Sequence, residues 1–257
     1  MGTSLTGPPD NLQETHTPEG IRERLLNGSP QSYLKDMVYG GIDGTITTFA
    51  VVSGVVGAEL APGIVVVLGL ANLVADGFSM AVSNFLGTRA EQQFTSKVRE
   101  EEAEEIRLIP EGEREEIRQI YAAKGFEGDL LEQVVDVITS DENVWIDTML
   151  KEEHGMLLEG PEPTRAAWFT FISFLFAGFV PVVPFIIDLV LDDGLGSPFL
   201  WSSIATAITF FLIGVYKARV VAMNKLTAGF ETVAVGGIAA ALAYTVGWAL
   251  RGIADGV

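Results

Sequence analysis

The amino-acid sequence predicts an all-α integral membrane protein with five transmembrane helices per protomer and a three- or four-helix domain inserted between the second and third. Three observations carry this prediction. Apolar residues gather in five runs, 38–60, 64–86, 166–191, 199–216 and 226–250, each with about the 17 to 25 residues that a helix needs to cross a hydrocarbon core. The acidic stretch between the second and third runs repeats its apolar residues at helical spacing. Neither an alternating strand pattern nor an internal repeat competes. A composition that is 48% hydrophobic, with a mean hydropathy of +0.34, agrees.

Residues 1–32 are polar, contain Pro8, Pro9, Pro18 and Pro30, and hold no apolar stretch suited to a cleaved signal. They read as a disordered cytosolic tail. Residues 33–89 carry spans one and two, 90–164 the insert, and 165–257 spans three to five. Arg22, Arg24 and Lys35 precede the first span, and Lys217, Arg219 and Lys225 crowd the connection between the fourth and fifth. The other two short connections have no basic residue, so this asymmetry places the N-terminus and the insert in the cytosol, with Arg251 alone on the far side. Cysteine is absent, which removes disulfides and thiolate metal sites.

The formal charge of −18 is concentrated. Of 34 acidic residues, 20 fall within 90–160, where only seven Lys or Arg accompany them. Nucleic acid is excluded as a partner, because phosphate contacts need clustered basic side chains. Cations are favoured instead. The insert divides at breakers: Ile106 and Ile109 before Pro110, then Ile117, Ile120 and Tyr121 before Gly125. A third piece runs through Leu130, Leu131, Val134, Val135 and Ile138, and Ser140-Asp141 reads as the N-cap of a last helix through Trp145 and Met149 toward Gly155.

Within the spans, Asp36 and Asp43 stand two helical turns apart on one face of the first. Asp36 reads equally as an interfacial carboxylate at a helix start or as part of a pathway. Asp43 lies inside the membrane, where an unpaired charge costs at least about 2.5 to 3.5 kcal/mol, and is read as functional. In the second span Asn72, Asp76, Met80 and Asn84 follow at intervals of four and make a polar stripe. Met80 alone would be packing; beside Asp76 it is a credible thioether ligand, a pairing that favours a transition metal over Mg²⁺ or Ca²⁺. Glu231 opens the fifth span near the cytosolic side. Pro181 and Pro184 either kink the third span or loosen its carbonyls beside a pathway. Asp188 is expected at the interface.

In the insert, Glu102 and Glu105, and likewise Glu113 and Glu116, are pairs at i, i+3 that each face one way on a helix. Two such pairs can share a cation, and Met149 with Glu153 would add a thioether and another oxygen. Spacing alone leaves open a solvated acidic face.

These stretches closely resemble the vacuolar iron transporter family. The resemblance rests on residues 36–54 (DMVYGGIDGTITTFAVVSG), 71–86 (ANLVADGFSMAVSNFL), the insert ending in WIDTMLKEEHG, and GFVPVVP in the third span. It covers nearly everything after Tyr33. It implies a homodimer of five-span protomers that exchanges cytosolic Fe²⁺, or Mn²⁺, for protons, with a cytosolic domain that gathers metal. It also implies metal ligands at Asp43 and Met80 in the membrane and at Glu102, Glu105, Glu113, Glu116, Met149 and Glu153 in the insert. The pathway is then expected to run past Asp36, Asp43, Asp76, Met80 and Glu231. His154 occupies a place where that pattern leads one to expect an apolar residue. Two other readings compete. A ferritin-like iron oxidase would need Glu-x-x-His motifs, and the residue three before His154 is Lys151. A metal sensor on an inert anchor leaves the intramembrane carboxylates unexplained. The target membrane is expected to be the plasma membrane in a prokaryote or the vacuolar membrane in a eukaryote.

Overall fold

The computed structural model of the chain describes residues 16–27, 32–158, 160–191, 194–220 and 222–254. Among the described residues ten α-helices account for the regular structure and no strand occurs. They are α1 (Pro18–Asn27), α2 (Leu34–Gly57), α3 (Pro62–Leu108), α4 (Pro110–Ala123), α5 (Gly128–Thr139), α6 (Glu142–Glu152), α7 (Pro163–Phe179), α8 (Val183–Val190), α9 (Pro198–Val220) and α10 (Lys225–Ala254). Helix α1 lies in the stretch expected to be disordered, while 1–15 and 28–31 fall outside the described residues. The chain forms two compact units, 86–163 and the remainder.

In the larger unit, α2, α3, α9 and α10 are long and apolar enough to cross a membrane. The pair α7 and α8 brings the number to five if it counts as one span, bent by 48° at its break. The bend sits where Pro181 and Pro184 stand, since proline lacks the N–H that continues a helix. A freed carbonyl there is satisfied from a neighbouring helix: the buried Ser202 hydroxyl donates to the Pro181 carbonyl at 2.7 Å. Asp188, expected at an interface, is buried and accepts from the Leu195 amide at 3.1 Å. It thereby ties the end of α8 to the following turn.

This unit is built with large apolar groups outward and small polar groups between helices. Val67, Val74, Phe78, Phe176, Leu212, Phe230, Ile238 and Leu242 are exposed, whereas Thr45, Thr48, Thr170, Ser202 and Thr206 are buried. Water would penalise such a surface; lipid does not. Phe49, Val52, Val55, Val65 and Phe185 form the apolar core where α2, α3 and α8 meet. Glycines let backbones touch. A Cβ at Gly44 would collide with the Phe174 carbonyl of α7, and one at Gly247 with the Gly54 carbonyl of α2. Side-chain hydroxyls on these faces return to the backbone four residues earlier, as Thr45 does to Gly41 at 2.7 Å and Thr170 to Ala166 at 3.0 Å.

In the smaller unit, 86–108 is the C-terminal part of α3. Its other helices follow the predicted pieces. Pro110 starts α4, Gly125 leaves it with φ +94°, and Asp141 caps α6 by accepting from the Asn143 and Val144 amides at 2.9 and 3.2 Å. The core joins Ile117, Val135, Ile138, Trp145 and Met149, with Ile106, Ile120, Tyr121, Leu131 and Val134 packed against it. Leu130, counted in the apolar run, is exposed.

The glycine contacts make a test. Gly44→Ala should destabilise the protein by about 1 to 3 kcal/mol through overpacking. Gly237→Ala, where a Cβ meets nothing within 4 Å, should leave stability unchanged or raise it slightly. Thermal unfolding in detergent checks both, and equal Tm values for the two variants would disprove the close α2–α7 contact.

Candidate metal centre

In the smaller unit two groups of acidic residues stand apart from the rest. One is neutralised by bases. Arg99 pairs with Asp147, Arg114 with Asp136, Arg118 with Glu115 and Glu132, and Lys124 with Glu152. Lys97 and Arg107 pair within α3 with Glu101 and Glu104. The other group comprises Glu102 and Glu105 on α3, Glu113 and Glu116 on α4, and Glu153 just past α6. Among the described residues, none of these five forms an ion pair with a lysine or arginine.

Their positions follow from local chemistry. Helical spacing of three puts each Glu pair on one face, as the sequence predicts, and packing of Ile106 and Ile117 into the shared core turns those faces inward. Carboxylate oxygens of Glu102, Glu105 and Glu113 come within 4.8 Å of one another. Glu102 and Glu113 are only 4% and 2% exposed, and Oε2 of each has no hydrogen-bond partner. Glu105, Glu116 and Glu153 are exposed around them. Buried polar atoms are ordinarily satisfied, so two orphaned carboxylate oxygens in one acidic cluster are an unmet demand for a cation.

The electrostatics record the same demand. Desolvation, followed by the charges of Glu116, Glu102, Glu105 and Glu153, raises the Glu113 carboxyl from 4.5 to about 7. Glu102 is raised by burial against the lowering effect of His154, and Glu116 by burial and then by its acidic neighbours. Hard oxygen donors so crowded suit a divalent cation, which replaces protons. Met149, one turn before Glu153, is fully buried in the apolar core.

Sequence reasoning missed the part played by His154. Its Nε2 lies 2.7 Å from Glu102 Oε1 and 3.9 Å from Glu153 Oε2. The helix end positions it: the Met156 amide returns to the Leu150 carbonyl at 2.8 Å, and Gly155 takes φ +63°. The one signal in the sequence was a histidine directly after Glu153 in a chain with two histidines.

In the larger unit the polar stripe of α3 lies on its packed side, with Leu73, Gly77 and Ala81 buried beside it. Asn84 Nδ2 donates to Asp36 Oδ1 and to Thr170 Oγ1, both at 2.7 Å, so the buried Asp36 joins α2 to α3 and α7. Asn72 Nδ2 reaches the Thr47 and Thr48 hydroxyls at 3.3 and 3.4 Å. Between these two asparagines stand Asp76 and Met80, both half-buried, as is Asp43 on α2. Asp43 and Asp76 are close enough for their charges to interact. Among the described residues neither side chain makes a hydrogen bond or ion pair. Glu231 is exposed on α10, and no hydrogen bond or ion pair joins it to the other four.

Comparison with known proteins gives concordant results. The model of the VIT family matches residues 34–248. A vacuolar iron transporter of Toxoplasma gondii is 33% identical over 237 residues, covering 90% of this chain and 78% of the relative. Vacuolar iron transporter 1 of Arabidopsis thaliana is 30% identical over 214 residues, 82% of this chain and 83% of the relative. The vacuolar iron transporter of Plasmodium berghei is 30% identical over 227 residues, 86% and 83% respectively.

The raised carboxyls fix a pH dependence. A carboxyl whose folded pKa exceeds its unfolded value contributes stability below the unfolded value, and that contribution is lost as pH rises through the folded one. Metal-free protein should therefore lose thermal stability between about pH 4.5 and pH 7, the interval spanned by Glu113. A saturating divalent cation should restore it, more at pH 8 than at pH 5. Glu113→Gln should stabilise the metal-free protein at pH 8 and diminish the response to metal. Scanning fluorimetry across pH measures this, and a pH-independent metal response would overturn the assignment.

Proposed function

This chain belongs to the VIT family, and on that premise we propose that it carries Fe²⁺ out of the cytosol across a membrane in exchange for protons. The observation that carries the reading is the pair of half-buried carboxylates, Asp43 and Asp76, that stand unpaired within apolar helices, with Met80 one turn from Asp76. Charges inside a membrane are costly, and those without a protein partner await a mobile one. A thioether beside carboxylates favours a transition metal.

The acidic unit faces the cytosol, as the distribution of Lys and Arg supports, and gathers the ion. Glu102, Glu105, Glu113, Glu116 and Glu153 supply hard oxygens, and Met149 supplies a thioether from the apolar floor. The cation would meet the unpaired oxygens of Glu102 and Glu113. Asp36, Asp43, Asp76, Met80 and Glu231 line the membrane pathway, Asp36 anchored by Asn84 at its start. The protein acts as a homodimer. Half-burial of Asp43, Asp76 and Met80 within one protomer supports a pathway that a second copy completes.

Protons supply the return charge. Moving two positive charges outward against a potential negative inside costs about 4.6 kcal/mol per 100 mV, twice the single-charge figure. Proton uptake by the vacated carboxylates lowers that cost and releases the metal. Mn²⁺ is a second substrate, since oxygen-rich ligands accept both ions.

Liposomes containing the purified chain test the proposal. Fe²⁺ flux should rise with an imposed pH gradient and be accompanied by proton movement. Asp43→Ala should abolish flux, at least about a hundredfold, while metal binding to the acidic unit is retained. Full transport by the Asp43→Ala protein would sink the pathway assignment; gradient-independent flux would sink the exchange.

A further inference from the structure

We propose that His154 is itself a metal ligand, its Nε2 joining Glu102 and Glu153 in a mixed nitrogen and oxygen site that selects later divalent transition metals over Mn²⁺ and Mg²⁺. The inference rests on the metal-gathering role proposed for this unit and names the residue that sets its selectivity.

Geometry carries it. Ligand atoms of Glu102, Glu153 and His154 lie within 4.8 Å of one another, and Nε2 stands 2.7 and 3.9 Å from the two carboxylates. Adjacent ligands on a six-coordinate ion at about 2.1 Å stand about 3 Å apart, a separation that these distances bracket. Small side-chain rotations would open the cluster around an ion. Glu102 shares both this group and the group formed with Glu105 and Glu113, so one cation at Glu102 is within reach of imidazole and carboxylates together. The partnerless Oε2 of Glu102, on a side chain 4% exposed, is an independent mark of an ion site.

Chemistry supplies the consequence. Glu102, Glu105, Glu113, Glu116 and Glu153 alone form an all-oxygen set of the kind that also suits Mg²⁺, Ca²⁺ and Mn²⁺. Replacing one oxygen by imidazole nitrogen favours Fe²⁺, Co²⁺, Ni²⁺ and Zn²⁺. When the ion arrives, the proton between Glu102 and His154 Nε2 leaves to solvent, the ring's one remaining proton stands on Nδ1, and Nε2 of the neutral ring donates its lone pair. A merely structural histidine would hold Glu102 by that hydrogen bond and never touch the ion.

Spectroscopy separates the two. The chain has two histidines, so tag-free full-length protein carrying His16→Ala retains one imidazole. Loaded with substoichiometric Cu²⁺ in detergent, it should give the pulsed-EPR modulation of a remote imidazole nitrogen. His154→Gln, which keeps a hydrogen-bond donor for Glu102, should remove that signal. In competition titrations the same substitution should weaken Zn²⁺ about tenfold and Mn²⁺ by less than about threefold. A signal that survives His154→Gln, or equal losses for Zn²⁺ and Mn²⁺, overturns the proposal. Binding that is sensitive to Glu113→Gln but free of the nitrogen signal overturns the role of His154 alone. Metal affinity unchanged by both Glu102→Gln and Glu113→Gln overturns the metal-gathering reading with it.

Discussion

Keeping carboxylates apart from lysine and arginine is the constraint on which the rest of this structure depends. Folding normally pairs a buried acid with a base or leaves it in water. Here Glu102 and Glu113 are buried among other acids, and Asp43 and Asp76 stand half-buried in apolar helices without a partner among the described residues. Four bases of the acidic unit are engaged elsewhere: Arg99, Arg114, Arg118 and Lys124 bind Asp147, Asp136, Glu132 and Glu152. Those exposed pairs contribute little stability individually. Their larger effect is to occupy the cations that would otherwise quench the cluster.

Such an arrangement needs a scaffold that can bear its repulsion. In the smaller unit the apolar layer of Ile117, Val135, Ile138, Trp145 and Met149 lies one helical turn from the carboxylates and brings their helices together. In the larger unit the scaffold is made of close backbone contacts at Gly40, Gly44 and Gly178 between α2 and α7, and at Gly57 and Gly247 between α2 and α10. Lipid offers no hydrophobic force between helices, so such contacts and the buried hydroxyls carry the association. The Asn84 bonds to Asp36 and Thr170 add a polar tie at one end of the same helices. The bend between α7 and α8 is tolerated for a similar reason, because Ser202 meets the Pro181 carbonyl.

The two units treat their acids differently. Burial and then the charges of its acidic neighbours raise the Glu113 carboxyl from 4.5 to about 7. In the larger unit Asp36 is satisfied by Asn84, whereas Asp43 and Asp76 are left without such a donor. A carboxylate with a partner is fixed in place, and one without is available to an ion.

Much of this was legible in the sequence, because it depends on periodicity along the chain. Span length, the polar stripe from Asn72 to Asn84, the pairing of Glu102 with Glu105 and of Glu113 with Glu116, and the Asp141 cap all follow from local spacing. Spacing sets which residues share a face, but not which faces meet. The sequence therefore could not foresee that Asn84 would hold Asp36, that Leu130 would be exposed, or that Asp188 would be enclosed. His154 is the sharpest case. It is 52 residues from Glu102, and no pattern along one helix connects them. Only tertiary structure, by closing α6 at Gly155 and packing it against α3 and α4, sets the imidazole beside a buried carboxylate whose second oxygen has no partner.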